Sequence, residues 1–157
     1  MQSRTGRCAS WVVPILVFAA WAPSTYAQAP VIQSQDLNTA GFVAEITEAR
    51  RSEGVLSLKI RLKNTGTKAE RIPIYKDRNS AAFYVQAESK KYLMLTDTEK
   101  VPLTAAWDGL GSVSPQVASG ASYSWWAKYP APPASVKKIS FYWPLGAPFD
   151  DVPITDK

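Results

Sequence analysis

The sequence predicts an all-β protein, an antiparallel β-sandwich of about seven to nine strands behind an N-terminal signal peptide. Three observations predict it. Apolar and polar residues alternate with a period of two through most of residues 41–154, as in strands with one face in a core and the other in water. Turn-forming residues recur roughly every 8–12 positions. No segment after the leader sustains a helical period.

The leader comes first. Arg4 and Arg7 form a short basic start, and the apolar run Trp11 to Ala20 follows. Pro23, Ser24 and Thr25 then break the run, which completes the layout of a secretory signal. The run has about 10 residues, against about 20 for a membrane-crossing helix. Small residues at Thr25 and Ala27 set the expected cut between Ala27 and Gln28. A cut after Ala29 ranks second, because Pro30 would follow it. The arginines are not adjacent, so a twin-arginine signal is not supported. Cys8 precedes the apolar run, so it is not placed as a lipoprotein cysteine. The expected organisation is therefore a signal peptide over 1–27, a flexible polar lead-in over 28–40 and one β-domain over 41–157. No membrane span is expected once the signal is removed, and the place of work is the periplasm or, for a secreted protein, beyond it.

In the domain, Phe42, Ala44 and Ile46 alternate with Val43, Glu45 and Thr47. A turn is expected at Arg51-Ser52-Glu53-Gly54. The clearest strand follows, with Leu56, Leu58, Ile60 and Leu62 facing inward and Ser57, Lys59, Arg61 and Lys63 facing water. Asn64-Thr65-Gly66 ends it with residues that tolerate positive φ. Arg71 to Tyr75 contains Pro73, which cannot donate to a ladder, so this strand is expected at an edge or a bulge. Ala82 to Ala87 and Lys91 to Thr96 flank Glu88-Ser89-Lys90 as a hairpin. Residues 97–112 read as a loop carrying Trp107. Val113 to Val117 reads as a short edge strand, Ser122 to Tyr129 and Val136 to Tyr142 as two further strands, and Phe149 to Ile154 as a last edge strand.

The chemistry is bounded by what is missing. The chain has no histidine, and its one cysteine, Cys8, leaves with the signal. That excludes a Ser-His-Asp triad, an imidazole or thiolate metal site and, in the mature chain, a disulfide. No glycine-rich phosphate loop is present. Neither a cofactor nor a metal is expected. The net charge is +5, and the signal accounts for two of those positive charges through Arg4 and Arg7. The remainder is an ordinary balance rather than a nucleic-acid footprint. Asp77, Asp97 with Glu99, Asp108 and the pair Asp150-Asp151 are the acidic candidates, and turn chemistry accounts for them.

The aromatic residues carry more. Tyr123, Trp125, Ala127 and Tyr129 share one strand face, with Ser124, Trp126 and Lys128 on the other. Neighbouring side chains point oppositely in a regular strand, so Trp125 and Trp126 cannot both enter the core unless a bulge intervenes. Trp107, Trp125, Trp126 and Tyr129 are therefore the candidate binding residues. Their alternative is packing, in the core or under a loop.

Several segments resemble a known bacterial domain. They are Trp126 to Pro133, Val136 to Tyr142, Pro148 to Ile154, the strand and turn Leu56 to Gly66, and Lys90-Lys91-Tyr92-Leu93. Together they are similar to the immunoglobulin-like periplasmic domain that precedes the peptidoglycan-binding module in some outer-membrane-protein-A-type proteins. The resemblance covers most of residues 41–154. It implies an immunoglobulin-like β-sandwich in a Gram-negative envelope, without catalytic residues, in an accessory role beside a cell-wall anchor. The sequence given ends at Lys157, so the anchoring module itself is not expected here.

The functional expectation is a non-catalytic extracytoplasmic binding or adaptor module that contacts a protein or cell-envelope component. One alternative is a carbohydrate-binding module using exposed tryptophans. The other is a carboxylate-dependent hydrolase.

Overall fold

The computed structural model describes residues 29–74, 79–105 and 113–157. The leader, its cut site, Tyr75, Asp77, Trp107 and Asp108 lie outside the described residues. In chain order the strands are β1 (Gln33–Asp36), β2 (Phe42–Ser52), β3 (Val55–Asn64), β4 (Glu70–Arg71), β5 (Tyr84–Ala87), β6 (Lys90–Leu93), β7 (Gln116–Val117), β8 (Ser122–Pro130), β9 (Lys138–Tyr142), β10 (Phe149–Pro153) and β11 (Thr155–Asp156). A 3₁₀ turn at Ser80–Ala82 leads into β5. No helix among the described residues is long and apolar enough to cross a membrane.

Two larger sheets and one ribbon result. The first sheet runs β1-β2-β3-β8, with β11 also on β2, and the second runs β10-β9-β5-β6. The pairing is antiparallel throughout except for β11, which lies parallel to β2. The predicted all-β class is what the structure shows.

The sheets meet through an aromatic spine. Trp125 of β8 lies 5.8 Å from Phe83 and 5.7 Å from Phe141 of β9, centroid to centroid. Phe141 continues to Trp143 at 5.5 Å, and Trp143 to Phe149 of β10 at 5.6 Å. Leu56, Leu58, Ile60 and Leu62 of β3 are fully buried beside it. Tilted ring pairs at these spacings are favourable beyond the apolar area they bury.

β2 and β3 form the longest ladder, and β2 carries a bulge. Ile46 pairs with Ile60 and Glu48 with Lys59, so Thr47 is the extra residue. Before the bulge Phe42, Ala44 and Ile46 point inward; after it, Ala49 and Arg51 do. The bulge resets the phase of alternation. The turn lies later than the sequence suggests. Arg51 and Ser52 are still strand, and the reversal is the two-residue turn Glu53-Gly54, with φ of 51° and 77°. Two consecutive positive φ values give the turn whose twist matches the flanking strands.

Four further segments depart from the sequence expectation. Gln33–Asp36, within the lead-in expected to be flexible, is an edge strand on β2. Its residues are polar, so only pairing with a partner strand reveals it. Arg71 to Ile74, the described part of a strand expected at an edge or a bulge, pairs with Val113 to Val117, expected as a separate edge. β4 joins β7, and Ile72 and Ile74 donate to Pro115 and Val113 at 3.1 and 2.8 Å. Pro73 falls between these donors, where its missing N–H costs the ribbon nothing. Asn64 ends β3 without positive φ. Its buried side chain instead donates to the carbonyls of Lys68 and Val117 at 2.8 and 2.9 Å and accepts from Gly66 N–H at 2.9 Å.

Candidate functional site

β8 decides where the tryptophans go. It pairs with β3 without interruption, from Lys63 opposite Ser122 to Val55 opposite Pro130. No bulge breaks it, so its alternation is strict. Trp125 is 1% exposed and Tyr129 is fully buried, both on the core face. Trp126 is 38% exposed on the outer face. Of the three candidate residues that are described, the structure puts Trp126 alone on an open surface. Trp125 and Tyr129 belong to the spine, with Tyr129 edge-on to Phe141 at 6.4 Å. Trp107 lies outside the described residues.

The other edge of β8 is covered. Lys128 accepts from Leu95 N–H at 2.8 Å and donates to Leu103 at 3.0 Å. The Trp126 carbonyl accepts from Ala105 N–H at 2.8 Å and from Thr104 Oγ1 at 2.7 Å. The backbone beneath the indole is thus fixed on both sides. Asp97 closes the covering loop by accepting from the N–H groups of Glu99 and Val101 at 2.9 and 2.8 Å.

Around Trp126 the first sheet forms a shallow depression of about 360 Å³. Strand register supplies its walls. Lys59 of β3 stands opposite Trp126 and Ser57 opposite Lys128. Glu48 and Arg50 of β2 stand opposite Lys59 and Ser57. Glu48 lies 2.9 Å from Lys59 and 3.7 Å from Arg50, so one carboxylate serves two cations. Arg61 and Glu45 form the next pair along the face. Lys128 makes no ion pair among the described residues, and the Trp126 indole N–H has no partner there. Sequence alternation places Lys128 on the face of Trp126 and Lys59 on an outer face, but does not bring Lys59 beside the indole. That needs the β3–β8 register, which no local pattern encodes.

A larger depression, about 610 Å³, lies between Lys91, Leu93 and Met94 and the segment Pro130, Ala131 and Pro133. It follows the free edge of β6. Lys90 and Lys91 there sit over Tyr92 and Tyr84, 5.1 and 3.7 Å from the ring centres. Lysines on an edge strand discourage pairing with another chain. That makes this edge a weaker candidate than the Trp126 face. On the outside of the second sheet, Tyr84 stacks on Tyr142 at 4.7 Å and pairs with Leu93, which is 48% exposed. This row went unrecognised in the sequence, because its members come from three strands.

The carboxylates stand apart. Asp97 is occupied in its loop, and Asp150 and Asp151 lie at the irregularity of β10, with Asp151 at φ 56° and 3.5 Å from Lys138. Among the described residues no group of three or more Asp, Glu, His or Cys is placed to hold a metal.

Comparison with known proteins finds no family model, curated protein or solved structure that matches the chain.

Proposed function

We propose that the protein is a non-catalytic binding module of the cell envelope, exported to the periplasm, with an immunoglobulin-like sandwich as its scaffold. The observation that carries the reading is the open Trp126 indole on a rigid sheet face, set among Arg50, Lys59 and Lys128. A large aromatic surface without a core to fill is what a binding face uses as an anchor. Two facing antiparallel sheets joined by an aromatic core support the immunoglobulin-like scaffold. So does the resemblance of residues 41–154 to the periplasmic domain named above. The partner is a protein or cell-envelope component.

The test compares wild-type protein with Trp126→Ala, each immobilised and exposed to solubilised envelope. Material held by the wild type and lost by the variant is the expected result. Equal retention by both, or none by either, removes the reading.

A further inference from the structure

We propose that the Trp126 face takes an acidic polysaccharide, with the indole beneath a sugar ring and the flanking lysines on its carboxylates. This rests on the binding-module reading and adds the class of ligand.

Three features of the depression carry it. The first is spacing. Residues directly opposite across an antiparallel pair have Cβ atoms about 4.5–5.5 Å apart. Residues two apart on one strand face are separated by about 6.5–7 Å. Lys59 is opposite Trp126 and Lys128 is two residues on, so both side chains stem within reach of a ring stacked on the indole; Lys128 has no ion pair among the described residues, while Lys59 is shared with Glu48. The second is charge. Arg50, Lys59 and Lys128 outnumber Glu48 in the lining, so the floor of the depression is cationic and favours an anion. The third is the mix of polar groups. Ser57 and the indole N–H supply the donors and acceptors that sugar hydroxyls require.

The same features disfavour a nucleic acid strand. Such sites track the phosphate backbone with an unbroken basic groove and stack successive bases on several rings. Here Glu45 and Glu48 interrupt the cations, and among the described residues Trp126 is the one aromatic side chain lining the depression.

The experiment is calorimetric titration of the purified protein with polygalacturonate, with its fully methyl-esterified form and with a thymidine oligonucleotide. Polygalacturonate is expected to bind. Trp126→Ala is expected to weaken it by roughly tenfold, equivalent to about 1.4 kcal/mol. Trp126→Phe, which keeps a stacking ring, is expected to retain most of the affinity. Lys128→Gln and methyl esterification each remove one side of the charge pairing and are expected to weaken binding several-fold. Thermal unfolding curves that overlay the wild type keep loss of binding separate from loss of fold. Equal affinity of wild type and Trp126→Ala overturns the proposal. So does equal affinity for the esterified polymer, or tighter binding of the oligonucleotide. If no polymer binds while envelope capture still depends on Trp126, the saccharide assignment falls and the binding module stands. If capture fails as well, both fall.

Discussion

Trp125 and Trp126 are adjacent in the chain, yet one closes the core and the other faces water, because consecutive Cβ atoms in an unbulged strand leave opposite sides of the sheet. Their substitution costs should differ accordingly. Trp125→Ala removes the ring that touches both Phe83 and Phe141 and is expected to cost about 3–5 kcal/mol. Trp126→Ala empties no cavity and is expected to stay within about 0.5–1 kcal/mol of wild type. Urea unfolding of both variants checks this, and similar losses would contradict the assignment of faces. Arg51 shows the opposite lesson. It is a charged residue expected in a turn, yet it is 8% exposed. Its guanidinium donates to the carbonyls of Pro132, Val136 and Ala134 at 3.0, 3.2 and 3.3 Å, and to that of Pro133. A fork with five donors can satisfy such a ring of carbonyls, whereas an ammonium cannot match its planar geometry.

Among the elements, the β2–β3 hairpin holds the first sheet together and presents the outer face. Its turn puts Glu53 at φ 51° without the help of a glycine. An L-residue there is strained, and asparagine tolerates the conformation much better. Glu53→Asn is expected to stabilise the protein by about 0.5–1 kcal/mol. An unchanged or lowered melting temperature would show that the strain is relieved some other way. The bulge at Thr47 matters in a different sense. It turns Arg51 inward while leaving Glu48 and Arg50 on the outer face. Without that extra residue the hairpin would offer a different set of charges to the depression around Trp126.

At the scale of the molecule, the chain end ties the two sheets. β10 pairs with β9 in the second sheet, and after Ile154 the chain crosses to lie on β2 of the first. Asp156 fixes the crossing through its 2.6 Å contact with Arg51 and a longer one, 3.4 Å, with Lys137. The Arg51 hydrogen bond holds the Asp156 carboxyl below its ordinary range against a smaller opposing effect of desolvation, and the Arg51 and Lys137 charges add to it. A carboxyl depressed on folding stabilises the native state above its unfolded pKa, about 3.9, and the gain disappears as pH falls through the lower folded value. Asp156→Asn should therefore be less stable than wild type at neutral pH. The gap should close as the carboxyl is protonated in acid. Denaturant midpoints at neutral and strongly acidic pH test this, and a gap of constant size would rule out the linkage. The carboxylate is half exposed, so solvent screening keeps the effect modest.

Local pattern was enough for much of this. The inward row Leu56, Leu58, Ile60 and Leu62, the shared face of Trp125, Ala127 and Tyr129, and the hairpin around Glu88-Ser89 follow from alternation and turn chemistry, because each depends on a few neighbouring residues. The face that reaches water, Trp126 or Trp125, stayed undecided, because a strand's period fixes relative and not absolute direction. Tertiary structure alone settled the strand identity of Gln33–Asp36, the union of β4 with β7, the burial of Arg51 and the place of Lys59 beside the Trp126 indole. Those features arise from register between strands far apart in sequence, and register is set when whole sheets pack, not by any short stretch of residues.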